Sequence, residues 1–303
     1  MGIFTAIASS DLSSIRTFLL QGENPNLRDE GGNALLHLAV QEADLPLINI
    51  LLSYGAMVDI LDPYGNTPLQ IAAMQGFMDG ALCLLERGAA IDGPQNARSW
   101  SPLMLALNHR HVDLAQELLN QGADPNFVDR QEGWTPLLVA CEQGHRHLSL
   151  QLIEKGSKVK AHITAGDSQG LSAIHMASYL GEVEIVQALI MRGLNINLRP
   201  AFGGLAPIHW AVYNGHMDLL RMLLEEGADP NLPATGVYRD KTPLHFAVSG
   251  RKLLMARRIL AQGGDPLQRD QEGHTPLSKA WDQYQADHAE ADRLIHALLE
   301  QAV

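Results

Sequence analysis

Apolar pairs recur along this chain at close to one spacing. They are Leu19-Leu20, Leu51-Leu52, Leu84-Leu85, Leu118-Leu119, Leu152-Ile153, Leu189-Ile190, Leu223-Leu224, Ile259-Leu260 and Leu298-Leu299. Each lies in a short stretch with one apolar stripe, the mark of an amphipathic helix. A second phrase runs ahead of the pairs. It reads Thr67-Pro68-Leu69, Ser101-Pro102-Leu103, Thr135-Pro136-Leu137, Ala206-Pro207-Ile208-His209, Thr242-Pro243-Leu244-His245 and Thr275-Pro276-Leu277, with worn copies at Ala34-Leu35-Leu36-His37 and Ser172-Ala173-Ile174-His175. Alanine follows each: Ala39, Ala72, Ala106, Ala140, Ala177, Ala211, Ala247 and Ala280, at steps of 33, 34, 34, 37, 34, 36 and 33 residues. A period of this size predicts a stack of small supersecondary units rather than one closed core.

Residues 130–166 show what one unit contains. Thr135 offers a side-chain oxygen to the free amides of a first turn, and Pro136 at the first helical position loses no hydrogen bond. Gly144 stops this helix, because a left-handed residue costs glycine little. A second helix over His145 to Glu154 carries Leu148, Leu150, Leu152 and Ile153. Gly156 ends it, and a protruding loop with Gly166 and Asp167 leads to the next unit. A single helix-turn-helix unit cannot bury its apolar faces, whereas stacked neighbours can.

A third phrase keeps phase with the others: Gly-Ala-Asp-Pro-Asn at 122–126 and 227–231, with looser copies at Gly22, Gly55, Gly88, Gly193 and Gly263. Together with Gly-x-Thr-Pro-Leu-His-x-Ala and the pairs Gly144-His145 and Gly215-His216, it makes the chain resemble the ankyrin repeat family over about residues 2–299. The resemblance implies an all-α repeat solenoid of helix-turn-helix units with protruding β-hairpin loops. It implies one domain, 1–303, of about nine repeats. A capping repeat at 1–29 precedes internal repeats at 30–62, 63–95, 96–129, 130–166, 167–200, 201–236 and 237–270, and a capping repeat at 271–303 follows. The polar segment around Asp282–Arg293 lengthens the last helices. Gln70, Met104, Leu138 and Ser278 replace the motif histidine and should weaken local hydrogen bonding.

Composition narrows the function. Apolar content of 46% excludes wholesale disorder. A net charge of −12 disfavours nucleic acid, whose phosphates it repels. The charge suits a protein partner with a basic surface, although solubility alone also accounts for it. No apolar run reaches membrane-spanning length, and Met1 to Ala6 is not a secretory leader. Cys83 and Cys141 sit at core positions rather than in a disulfide framework. A cytoplasmic chain, monomeric on its own, is expected.

Thirteen histidines raise the question of a metal. His37, His175, His209 and His245 belong to the repeat phrase, where an ankyrin-like imidazole bonds to backbone. His109/His111 and His145/His147 lie two apart, so the members of each pair point in different directions on a helix. No metal, no cofactor and no catalytic residue is expected: phosphate loops, nucleophile elbows and zinc spacings are missing from the sequence.

The informative residues are those the repeat does not need. In an ankyrin-like stack, loop tips and the exposed side of the first helix line a concave surface. The residue after the motif glycine, or after its replacement Ser99, gives Trp100, Trp134, Leu171 and Leu205. The position before the interhelical turn gives Asn108, Tyr179 and Tyr213. Loop tips give Tyr64, Arg98, Phe202, Tyr238 and Arg239. Aromatics make up only 5% of the chain, yet they concentrate in these slots, with Trp100 and Trp134 expected side by side. Aromatics flanked by arginine are what protein-binding surfaces enrich. Trp210 and Phe246 are expected in the core. The lengthened loops Ala161–Gly166 and Pro233–Tyr238 are candidate contact loops. The reading is a non-enzymatic interaction module that binds a folded partner as inhibitor, immunity-type antagonist or adaptor. The alternatives are a self-associating scaffold, or an enzyme with an unrecognised site.

Overall fold

The structure, a computed structural model, describes residues 2–93, 100–165, 169–200, 204–287 and 289–303. The chain divides into two compact units, Met1–Gln131 and Glu132–Val303. The first holds α1 (Ile3–Ala8), α2 (Leu12–Leu20), α3 (Leu35–Gln41), α4 (Leu45–Ser53), α5 (Pro68–Gln75), α6 (Met78–Glu86), α7 (Pro102–Asn108) and α8 (Val112–Asn120). The second holds α9 (Pro136–Glu142), α10 (Arg146–Glu154), α11 (Ala173–Leu180), α12 (Val183–Met191), α13 (Pro207–Asn214), α14 (Met217–Glu225), α15 (Pro243–Ser249), α16 (Leu253–Ala261), α17 (Pro276–Asp287) and α18 (Glu290–Glu300). A short 3-10 turn, Gly236–Tyr238, precedes α15.

These helices begin where the sequence dictates. The Thr67 hydroxyl accepts from the Gln70 amide at 3.2 Å, Ser101 from Met104 at 3.3 Å, and Thr135 from Leu138 at 3.3 Å. Proline follows each of the three and needs no partner for a missing N–H. Gly76, Gly181 and Gly215 end α5, α11 and α13 in the left-handed conformation. At Gly76 and Gly181 no larger residue fits, because a Cβ would meet the ring of His111 or His216. The final pair, α17 and α18, runs to 12 and 11 residues, as the polar insertion predicts.

Packing follows one scheme in each unit. The helices of a pair pack on each other, and first helices pack side by side: α3 on α5 on α7, and α9 on α11 on α13 on α15 on α17. Second helices do the same, as in α10, α12, α14, α16 and α18. The buried side chains include the motif alanines and at least one member of each apolar pair, for instance Ala72, Leu84, Ala211 and Leu223, all fully enclosed.

The predicted β-hairpin arms are reduced. Among the described residues they carry single bridges only, Arg28 with Ala34 and His162 with Ser172. Side chains tie successive arms instead. The residue closing each third phrase accepts from a backbone amide one repeat later: Asn26 from Met57 at 2.8 Å, Asp92 from Asp124 at 2.8 Å, Asn197 from Asp229 at 3.0 Å and Asn231 from Asp265 at 2.7 Å. Short arms need no ladder when each is pinned this way.

Candidate protein-binding face

The motif histidines are structural pins. His175 Nδ1 accepts from the Ser172 amide at 3.2 Å, and Nε2 donates to the Leu198 carbonyl at 3.0 Å. His209 repeats this with Ala206 and Leu232, and His245 with Thr242 and His274. His37 does so in the first unit with Ala34 and Ile60. An amide can only donate and a carbonyl can only accept, so these partners fix the neutral Nε2-protonated ring. Burial pushes His175 and His209 down to about 4, since a second proton would have to face an N–H donor.

Gln70 corrects the expectation that substitution weakens the pin. Its Oε1 accepts from the Thr67 amide at 2.7 Å and its Nε2 donates to the Trp100 carbonyl at 2.9 Å. A carboxamide offers the same acceptor and donor as a neutral imidazole. Ser278 keeps the first half only, accepting from the Thr275 amide at 3.0 Å. The thioether of Met104 and the hydrocarbon of Leu138 cannot pin in this way.

The exposed positions separate. Tyr179 and Tyr213 stand 52% and 54% exposed at the ends of α11 and α13. Their carbonyls, left over at the helix ends, are capped by the next turn. Tyr179 O accepts from Asn214 Nδ2 at 2.7 Å and His216 Nε2 at 2.9 Å, and Tyr213 O from Lys252 Nζ at 2.6 Å. The rings connect edge to face. Centroids lie 5.3 Å apart for Tyr179–Trp210, 6.1 Å for Trp210–Tyr213, 6.1 Å for Tyr213–Phe246 and 5.7 Å for Phe246–Tyr238. Such pairs favour a fixed geometry. The result is one joined aromatic face over α11, α13 and α15 of the second unit.

Several expectations change. Trp134 is buried, 7% exposed, with Nε1 donating to Glu132 Oε2 at 3.0 Å. Leu205 is fully buried. The slot after the motif glycine is a shelf under the arm. Asn33 and Asn66 there bond back to Asp29 and Asp62, whereas large apolar residues fold inward to escape water. Trp100 and Leu171 are half-buried in the same slot, and Asn108 is half-buried at the end of α7.

Tyr64 is 87% exposed on an arm of the first unit. Tyr238 is half-buried against Phe246. Arg239 is exposed but engaged, pairing with Glu272 at 2.6 Å. Arg98 and Phe202 lie outside the described residues, as does Gly166 of the first long loop. In the second long loop Ala234 is fully buried and Val237 is 78% exposed.

Trp210 is the residue the core expectation misplaced. It is half-exposed, while Phe246 is buried as expected. Both follow a motif histidine, a position taken by Leu38, Ile71, Leu105, Val139 and Met176 elsewhere. The missed signal was the helical spacing of Trp210 and Tyr213, three apart on α13, which puts both on one side.

Two cavities open in the second unit. One, of about 290 Å³, lies between Glu142, Leu171, Met176, Tyr179, Leu180 and Trp210, with His175 behind. The other, of about 410 Å³, is bordered by Lys160, His162, Ser172, Leu198 and Arg199. Asp270, Glu272 and His274 bring ligand atoms within 4.8 Å of one another. Asp270 there accepts from the Glu272 and His274 amides at 2.9 Å each, the work of an arm turn. No described helix is long and apolar enough to cross a membrane.

These features meet in a repeat protein whose pins are standardised and whose exposed positions are free to vary. The family model for ankyrin repeats in three copies matches residues 3–95, 89–163, 159–234 and 208–291, so the chain belongs to the ankyrin repeat family. The crystal structure of the human ASB11 ankyrin repeat domain is similar to it, with a TM-score of 0.62 and 27% sequence identity over 77% of this chain and 98% of that one. No curated protein sequence matches the chain. Ankyrin repeats are generally protein–protein interaction modules, and the fold is typically non-enzymatic.

Proposed function

We propose that the chain is a non-enzymatic binding module that docks a folded protein on the concave side of its repeats, through the aromatic face of the second unit. Its action is the binding itself, as inhibitor, antagonist or adaptor, in the cytoplasm. The observation that carries this is the joined set Tyr179, Trp210, Tyr213, Phe246 and Tyr238, whose two helix-end tyrosines are half in water and held from behind. The repeat requires no aromatic at these places, and rigid aromatics with a polar tip are the residues that dominate protein contacts. The net charge of −12 favours a partner with a basic surface.

The test begins with affinity capture and mass spectrometry to obtain a partner, followed by titration of the purified pair. Tyr213→Ala should weaken the complex at least tenfold while helix content stays unchanged. Equal affinity for Tyr213→Ala, Tyr179→Ala and the parent chain would move the contact elsewhere.

A further inference from the structure

We propose that the cavity beside Tyr179 receives an arginine side chain presented by the protein partner. This deepens the protein-binding reading and rests on it. The cavity's walls are Leu171, Met176, Leu180 and the rings of Tyr179 and Trp210, with the Glu142 carboxylate at its exposed rim. At about 290 Å³ it falls just below the ~300 Å³ at which small-molecule sites begin, so a single long side chain suits it better than a cofactor.

The walls select the side chain. Apolar groups accept an aliphatic stem, aromatic rings attract a cation over their faces, and a carboxylate at the mouth pairs with it. A guanidinium serves all three at once, because it is planar, stacks on rings and bonds carboxylates through a fork. Among the described residues that line the cavity, none is a lysine or arginine that would repel it. His175 borders the cavity, and its two backbone bonds hold it neutral. Crowding by the apolar walls pushes the Glu142 carboxyl up, which a bound cation would reverse. The acidic chain draws basic surfaces toward this mouth at long range.

The probe is N-acetyl-arginine amide, titrated into the full-length, nitrogen-15-labelled chain, with N-acetyl-citrulline amide as the uncharged isostere. The Trp210 indole N–H signal, assigned by its loss in Trp210→Phe, is the readout. The expected result is a saturable shift with arginine, at least tenfold weaker with citrulline and abolished in Glu142→Gln. Glu142 lies at an exposed rim, so that variant folds even if a Tyr179 variant does not. No saturable shift, an equal response to citrulline, or a parent-like titration by Glu142→Gln each overturns the assignment. Partner affinity lost in Tyr213→Ala alongside a failed arginine titration would sink the pocket and leave the docking face standing.

Discussion

The two units build the same helix pair from the same pins, yet they clothe it differently. In the first, the residue after the motif histidine or its stand-in is Leu38, Ile71 or Leu105, and the residue before the turn is Gln41, Met74 or Asn108. In the second, α11, α13 and α15 place Met176, Trp210 and Phe246 at the first position and Tyr179, Tyr213 and Ser249 at the other. Where the pin is kept it barely changes: His37 and Gln70 bond their caps and arms as His175, His209 and His245 do, and each unit has one repeat without it, at Met104 and at Leu138. Positions that hold a repeat together are thus shared, and those free of that duty have diverged. In such a protein the proposed binding face is sought by subtracting the scaffold, and the joined aromatic rings that remain lie in the second unit.

Acid should separate the units most. The second unit contains His175 and His209, both held near 4, and His245, which burial also lowers; the first has His37 lowered and a non-titrating Gln70. These rings are neutral when folded and take up protons near 6.5 when unfolded. Stability is therefore complete above 6.5 and is lost as pH falls from there toward about 4. Each of His175 and His209 should contribute roughly 2 to 3 kcal/mol of loss between pH 7.5 and 4.5. His209→Gln keeps the donor and acceptor but does not titrate, so urea melts at the two pH values should differ less by about that amount. An unchanged gap would mean that His209 is already charged in the folded chain. Amide exchange at low pH should open the second unit before the first.

Trp134 tests which aromatics belong to the face. Its ring is enclosed and its indole N–H is satisfied, so Trp134→Ala removes core volume and leaves the face intact. It should cost about 3 kcal/mol of stability, and Leu205→Ala about 2 to 4 kcal/mol, with partner affinity per folded molecule unchanged. Calorimetry with affinity on the same preparations checks both. A Trp134→Ala chain that melts normally but fails to bind would return this residue to the interface.

Affinity should rank the exposed rings by unit. Tyr179→Ala should cost about 2 kcal/mol of binding, whereas Tyr64→Ala, an isolated ring on an arm of the first unit, should cost less than about 0.5 kcal/mol. A larger loss from Tyr64 than from Tyr179 would erase the contrast between the units. The variants are matched because both residues are exposed and neither caps a helix.

Much of the fold is legible in the sequence alone. Thr67, Pro68 and Gly76 announce a helix's start and stop through local chemistry, and the period announces stacking. The site was only half legible. Tyr179 and Tyr213 sit at a helix end, where the repeat geometry decides exposure. Trp134 and Leu205 sit on the shelf after the motif glycine, where exposure depends on the neighbouring arm, and no spacing rule sees that arm. Trp210 differs, because its spacing of three from Tyr213 on α13 already puts both rings on one side. A motif alanine at its side predicts burial on one flank only, and the flank shared with Tyr179 is set by packing between repeats.

The smallest expected effect concerns the interhelical turn, where both units use the left-handed conformation. The residue four after the motif alanine is Gly144, Gly181 and Gly215 in the second unit, each with positive φ, and Arg251, held at φ of 54°. In the first it is Gly76 but also Ala43 and Arg110, held at φ of 52° and 63°. A side chain in this left-handed region costs about 1 kcal/mol, which glycine avoids, although glycine also loses more freedom on folding. The two terms oppose, and strain relief is the larger. Ala43→Gly should therefore raise stability by about 0.5 kcal/mol, seen as a small upward shift in melting temperature. The reverse change, Gly181→Ala, should cost more than the backbone strain alone, because the new methyl would press on the His216 ring that caps Tyr179. It should also loosen the tyrosine platform and lower partner affinity, whereas Ala43→Gly leaves affinity untouched. If Gly181→Ala melts and binds like the parent chain, the His216 cap is dispensable and the platform is held by Asn214 alone.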